Sequence, residues 1–319
     1  GLLDSFCRPV SISILLTERC SAKCVHCDIW KNRGKEDSPD LSVWKQLLSD
    51  LRTWLGPVQV TVTGGEALLK PYTIELLEHG FQLGLFMELL THGSWDDQSK
   101  FERLARSNPG RVTISLDGIG VIHSRIRGRE GFFEKTHASI STLLRVREQE
   151  NLQFSIRFKT VIMDQNIAQL VELARYATNL GAEIFYQPIE QNYNTVQDPE
   201  WYKTSGNWPK DIAATVAAIE ELQYHKRCGL NISNSFNQLE VMAEYFRSPD
   251  LFMVAVQRHD AHQKKRNCSA LTLLQVQANG DVLACIKMPA IGNIRCDRIA
   301  SIWAKRPTWW KLGCCLERN

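Results

Sequence analysis

Three cysteines sit within eight residues of this chain, in Cys20-Ser-Ala-Lys-Cys24-Val-His-Cys27. Their C-x3-C-x2-C spacing lets one short loop curl all three thiolates toward a common point. Soft thiolate ligands suit zinc or an iron-sulfur cluster. Structural zinc takes four protein ligands, and His26 alternates with the cysteines and has to reverse direction to join them. Three ligands from one loop fit a cubane better, because one iron then stays open to a small chelating molecule.

Other residues with chemical potential fall at regular places along the chain. Thr63-Gly64-Gly65-Glu66 combines backbone freedom with an acid, although Gly64 and Gly65 alone also read as a strand-to-helix turn. Ser115 and Asp117, in Ser115-Leu-Asp-Gly118, are either polar contacts to a ligand or turn formers. Arg157 either binds a carboxylate or pairs with a neighbouring acid, and His92 either faces a substrate or caps a strand. Near the end, Cys268 and Cys285 are separated by Leu273-Leu-Gln-Val-Gln277 and Asp281-Val-Leu-Ala284, which flank Ala278-Asn-Gly280. That pattern predicts a hairpin whose turn makes the two distant thiols neighbours. Cys314 and Cys315 follow, with Cys296 between, while Cys7 and Cys228 have no partner by spacing and read as packing residues.

The elements that must position these residues follow a repeated alternation. Val10–Leu16 is a strand candidate ending at the cysteine loop, and the apolar spacing of Leu41, Trp44, Leu47, Leu48 and Leu51 predicts a helix over Leu41–Leu55. The cycle recurs with strands at Val58–Thr63, Leu85–Leu90, Arg111–Leu116, Phe154–Ile162 and Glu183–Gln187, and helices at Tyr72–His79, Gln98–Ser107, Glu134–Gln149 and Ile167–Leu180. Six strands alternating with helices imply an α/β chain with a parallel sheet, as in an incomplete (β/α)6 TIM-like barrel. Chemistry in such folds collects at the carboxyl ends of the strands, where the cysteine loop, Gly64, His92 and Ser115 all fall. Residues 191–209 lack periodicity and read as a loop over the mouth. Helices at Ile212–His225 and Phe236–Phe246 come next. The expected organisation is a core over 1–205, a helical connecting segment over 206–262 and a small cysteine-bearing α+β unit over 263–319.

Composition bounds the function classes. With 319 residues, 44% of them apolar, the chain can bury a sizeable core. A net charge of +3 with no dense basic run argues against nucleic acid. The apolar runs are too short to span a bilayer, no secretion signal opens the chain, and clustered cysteines read as reduced thiols, so the expectation is a cytoplasmic protein with no membrane partner.

Taken with its place after the first strand, Cys20–Cys27 resembles the signature of the radical S-adenosylmethionine (radical SAM) enzymes, with His26 at a commonly aromatic position. Thr63–Glu66 looks like that family's Gly-Gly-Glu segment. Thr91-His92-Gly93, Ser115–Gly118 and Arg125-Ile-Arg-Gly128 resemble further family sequences, so the likeness runs from Val10 to Pro188. It implies a [4Fe-4S] cluster on Cys20, Cys24 and Cys27, with S-adenosyl-L-methionine chelated to the open iron. It also implies cofactor contacts from Gly64, Gly65, Glu66, Ser115 and Arg157: glycines admit the ligand, Glu66 pairs with its ammonium, and Ser115 and Arg157 reach its ribose or carboxylate. The C-terminal hairpin, with Gly280-Asp-Val-Leu-Ala-Cys285, resembles the opening of the SPASM and shorter twitch domains. Those hold an auxiliary iron-sulfur cluster, here expected on Cys268, Cys285, Cys314 and Cys315, with Cys296 a competing ligand. The further cysteine-rich run of a full SPASM domain is absent, which implies one auxiliary cluster.

The function so implied is reductive cleavage of S-adenosylmethionine to a 5′-deoxyadenosyl radical. That radical abstracts hydrogen from a substrate, giving a net oxidation or bond formation on a peptide or protein. A small-molecule dehydrogenase acting on an aminocyclitol or sugar-like substrate is the alternative, and a non-enzymatic zinc-binding module is a reading from another class. The short segment before the first strand weighs against a leader-dependent peptide reaction. An electron donor such as flavodoxin or ferredoxin is implied as a partner.

Overall fold

The computed structural model describes residues 8–306, except 33, 35, 194, 197, 254–271 and 286–288. The six expected strands form as β1 (Ser11–Leu15), β2 (Gln59–Thr63), β3 (Phe86–Thr91), β4 (Arg111–Ser115), β5 (Ser155–Ile162) and β6 (Glu183–Pro188). Each pairs in parallel with the next, and β6 ends the sheet on one side, so the barrel stays open. The connecting helices are α1 (Leu41–Leu55), α2 (Thr73–Gln82), α3 (Ser99–Arg106), α4 (Val121–Ile126), α5 (Phe132–Gln149) and α6 (Leu170–Asn179). Helix α4 was not expected, because six residues are too few for an apolar period to emerge.

The strands alternate between two destinations. Ile12, Ile14, Val60, Val62, Met87, Leu89, Val112, Ile114, Ile156 and Phe158 point outward and are buried against the helices, as is the Trp44, Leu47, Leu48 and Leu51 face of α1. Their inward neighbours are mostly polar, with Leu15 and Leu90 as apolar exceptions on the cavity wall. Near the strands' amino-terminal ends, Glu88 accepts hydrogen bonds from Gln59 at 2.7 Å, Thr61 at 3.1 Å and Thr113 at 2.5 Å. Arg157 Nε lies 2.8 Å and Arg111 Nε 3.2 Å from Glu183 Oε1, so a paired belt of charge closes the floor of the lumen.

Beyond β6, a loop carrying α7 (Trp201–Thr204) leads to α8 (Ile212–Arg227), α9 (Phe236–Arg247) and α10 (Asp250–Met253). Helix α9 starts with a reciprocal capping box between Ser235 and Gln238. The expected hairpin forms from β7 (Leu273–Val276) and β8 (Asp281–Leu283), followed by β9 (Gly292–Asn293) and α11 (Ile299–Ala304). It does not build a sheet of its own. β7 pairs in parallel with β1, Ile12 opposite Leu274 and Ile14 opposite Val276, so it satisfies the free edge of β1 and extends its apolar row. Among the described residues, no helix is long and apolar enough to cross a membrane.

Candidate functional site

The cysteine loop leaves β1 and is gripped by backbone from two sides. On one, Gly65 N–H donates to Thr17 O at 2.7 Å and Glu66 N–H to Arg19 O at 2.8 Å. A Cβ on either Gly64 or Gly65 would collide with backbone of the loop, and Gly64 has φ +143°, so only glycine allows this approach. On the other, Lys23 N–H donates to Arg127 O and Val25 N–H to Ile126 O, both at 3.0 Å. The Arg125–Gly128 stretch is thus a docking strip for the loop. Cys24 is buried, Cys20 and Cys27 are half-buried, and all three pack about Ala22 and Phe132. Burial pushes the Cys20 thiol up to about 12 and also raises that of Cys27.

The donor set fits an iron-sulfur cluster. Among the described residues no three donors stand close enough to hold a single ion. A cubane takes each thiolate on a different iron, so its ligands stand wider apart than those of one metal. Trp30 Nε1 and Arg127 Nε are buried donors without an acceptor, and both residues line the cavity that the thiols face. The sulfides of a bound cluster would be acceptors of the kind these groups lack.

That cavity has a volume of about 320 Å³. Gly64, Gly65 and Ser115 line it beside the cysteines, and the Ser115 hydroxyl makes no hydrogen bond to a described residue. Glu66, expected to pair with an ammonium, accepts three protein hydrogen bonds. Its Oε1 accepts from Leu68 N–H at 3.1 Å and the Thr91 hydroxyl at 2.9 Å, and its Oε2 from His92 N–H at 2.8 Å. The carboxylate ties the ends of β2 and β3 together, and it is buried outside the cavity lining.

His92 both caps β3 and walls the cavity. Its Nδ1 accepts from Ser94 N–H at 2.9 Å, so the proton sits on Nε2, 2.9 Å from Ser21 Oγ. Burial lowers its pKa, against the Glu66 carboxylate 3.3 Å from Nε2. Arg157 belongs to the floor belt, with Glu183 at 2.8 Å and Glu88 at 3.7 Å, so its neighbouring-acid alternative is the one observed. Two residues further along β5, Lys159 stands opposite Ser115 in register and has no ion-pair partner among the described residues. Burial lowers its pKa against the opposing field of Glu190.

For several contributors the sequence pointed to no partner. Asp117 is a buried anchor: Oδ1 accepts from Val161 N–H at 2.9 Å, and Oδ2 lies 2.5 Å from Arg127 Nη2 as an ion pair. Arg127 Nη1 donates to Cys24 Sγ at 3.4 Å. Gln275 of β7 reaches the cavity because β7 joins the barrel sheet. The loop expected over the mouth does lie there: Tyr193 bridges to Cys27, and Asn207 Nδ2 donates to Val25 O at 2.9 Å.

In the C-terminal unit, Cys285 follows β8 half-buried and Cys296 is exposed beyond β9. Cys268, Cys314, Cys315 and Cys7 lie outside the described residues. Cys228 is exposed at the end of α8 rather than packed.

A family model described as the radical SAM superfamily matches residues 14–177. The AdoMet-dependent heme synthase of Methanosarcina barkeri is 24% identical over 313 residues, 95% of this chain and 84% of its own length. The PqqA peptide cyclase of Rhodopseudomonas palustris is 28% identical over 186 residues, 57% of this chain; the match spans 47% of that protein, less than half its length. Among solved structures, Streptococcus suis SuiB bound to S-adenosylmethionine matches with a TM-score of 0.71 at 17% identity, over 96% of this chain and 68% of that one. SuiB bound to its precursor peptide SuiA matches with a TM-score of 0.70 at 17% identity, over 96% of this chain and 67% of that one.

Proposed function

The chain belongs to the radical SAM superfamily, and from that premise we propose that it oxidises, or forms a new bond in, a peptide or protein substrate. The family's cofactors are a [4Fe-4S] cluster and S-adenosyl-L-methionine. When bound, they supply one-electron cleavage of the sulfonium to methionine and a hydrogen-abstracting 5′-deoxyadenosyl radical. The observation that carries the reading is the cavity between the three-thiol loop and the Gly64–Gly65 strip, with an unspent hydroxyl at Ser115. Cys20, Cys24 and Cys27 hold the cluster. The backbone of Gly64 and Gly65 and the Ser115 hydroxyl receive the cofactor's polar end, and Glu66 keeps that strip in place. The loop over the mouth limits access of water and of competing hydrogen donors.

A peptide substrate is favoured by the PqqA peptide cyclase and by SuiB, which has been crystallised with its precursor peptide. The second reading is a small-molecule substrate of the haem-forming kind, favoured because the heme synthase matches 95% of this chain and 84% of itself. In either case we assign an oxidoreductase with an auxiliary iron-sulfur cluster on Cys285, Cys268, Cys314 and Cys315, Cys296 being the competing ligand. The auxiliary unit is 263–319, joined to the 1–205 core by the helices of 206–262. A low-potential donor such as flavodoxin or ferredoxin serves it in a cytoplasmic setting.

Anaerobic reconstitution with iron and sulfide tests the assignment. A brown protein that releases 5′-deoxyadenosine from S-adenosylmethionine with dithionite is expected. A colourless protein carrying stoichiometric zinc and releasing no 5′-deoxyadenosine rejects it. A mass change in a candidate precursor peptide, against one in a porphyrin, separates the two substrate readings.

A further inference from the structure

We infer that Arg127 sets the reduction potential of the cluster held by Cys20, Cys24 and Cys27, by fixing a cationic N–H donor on the Cys24 sulfur with Asp117 as its anchor. The inference rests on the cluster assignment above. Its geometry is direct: Arg127 Nη1 donates to Cys24 Sγ at 3.4 Å, and Nη2 lies 2.5 Å from Asp117 Oδ2. Both side chains are buried, Arg127 at 6% and Asp117 at 0% relative exposure, so neither solvent nor salt screens them appreciably. Arg127 Nε remains a buried donor without an acceptor on the cavity wall. The guanidinium is immobilised as well as charged. Its own carbonyl accepts from Lys23 N–H, and the next residue, Gly128 at φ +69°, fits under Lys23 without a Cβ.

A buried Arg–Asp pair is neutral in sum, yet it is oriented. The cation touches the thiolate and the anion sits behind it, where Oδ1 is held by Val161 N–H at 2.9 Å. The other ionisable groups whose fields reach Asp117 are the imidazoles of His26 and His123 and the ammonium of Lys159, and none of them stands between the guanidinium and the Cys24 sulfur that it touches. The positive end of the Arg127–Asp117 dipole is therefore turned toward the cluster. Reduction of [4Fe-4S]2+ to [4Fe-4S]1+ takes one electron from a low-potential donor such as dithionite and places one more negative charge on iron, sulfide and thiolate. A cationic N–H donor stabilises that added charge, and so raises the potential. Arg127 is a positioning and tuning residue here, acting through Cys24.

The test is an electron-paramagnetic-resonance redox titration of the full chain, reconstituted anaerobically and free of S-adenosylmethionine. Omitting the cofactor excludes any effect of Arg127 on its carboxylate. Removing the arginine alone strands a buried carboxylate and endangers folding. The decisive variant is therefore D117N/R127Q, which removes both charges together and leaves no unpaired charge, with R127K as the conservative comparison. At the potential where wild type is half reduced, the reduced-to-oxidised ratio of D117N/R127Q is expected to fall about tenfold, a shift of about 59 mV for a one-electron couple. R127K, keeping charge without the planar fork, is expected to shift less. Iron and sulfide contents equal to wild type, with an unmoved midpoint in D117N/R127Q, overturn the inference. Absence of any cluster from the wild-type chain instead removes the premise, so the two failures are distinguishable.

Discussion

Gly65 has no room for a side chain, and its obstacle is the Arg19 carbonyl rather than a side chain that can swing away. G65A must therefore displace the cysteine loop. The expected outcome is reduced iron per chain after reconstitution and about 10²-fold less 5′-deoxyadenosine, the cost of misplacing a reacting group by roughly 1 Å. Normal iron and normal turnover in G65A contradict this. At the same scale, His123 is buried with Nδ1 accepting from Asp117 N–H at 3.1 Å. Burial, reinforced by Arg127, pushes its pKa down to about 3 from 6.5. Between those values the unfolded chain holds a proton that the folded chain does not. Its contribution to stability is therefore fully present above pH 6.5 and is lost as pH falls toward 3, at up to about 1.4 kcal/mol per pH unit. Denaturant titrations between pH 7 and pH 5 are expected to show a shallower loss for H123N than for wild type, and equal slopes refute the assignment. The cysteine triplet and Gly64–Gly65 were legible as a site because their spacing is local. Glu66 and Arg157 were legible as chemistry, but the partners they tie together come from other strands and were not legible.

At the scale of elements, the strand boundaries fell within one residue of expectation because alternating apolar residues mark both where a strand runs and which face it buries. Helix α4 escaped, and the Arg125–Gly128 stretch that overlaps its end was noticed only as a family-like sequence, since its role is to present backbone to the cysteine loop and backbone leaves no compositional trace. The loop over the mouth is held partly by side-chain amides, Asn207 and Asn192 both donating to Val25 O. N207A is expected to leave global stability within about 0.5 kcal/mol. It should nevertheless speed the bleaching of the reconstituted cluster in air, followed by absorbance. The Ser235–Gln238 capping box of α9 gives an independent check: S235A is expected to cost about 1 kcal/mol in a denaturant titration.

For the whole molecule, the consequential contact is β7 on β1. It gives the barrel sheet a cover on that edge, places Gln275 in the cavity wall, and brings α11 back to α1, where the Trp303 and Trp54 rings lie 6.4 Å apart. The hairpin and the barrel share a core, so they are expected to unfold together. L274A removes a wholly buried side chain between them and should lower the midpoint of a single transition by an amount equivalent to about 2–5 kcal/mol. Two separate transitions, with only the smaller one affected, identify the hairpin as an independent unit instead.

The sequence by itself determined the open parallel barrel, the three-thiol loop at the mouth and the hairpin near the end, because each is written in local spacing: period two, period 3.6, C-x3-C-x2-C and a turn pair. Tertiary structure alone decided that the hairpin continues the barrel sheet, that Glu66 faces inward to Thr91 and His92, and that Arg127 and Asp117 meet behind Cys24. Those outcomes depend on which buried polar groups find one another across distant segments. In a medium that penalises an unpaired charge, the choice of partner is fixed only once the chain has closed around it.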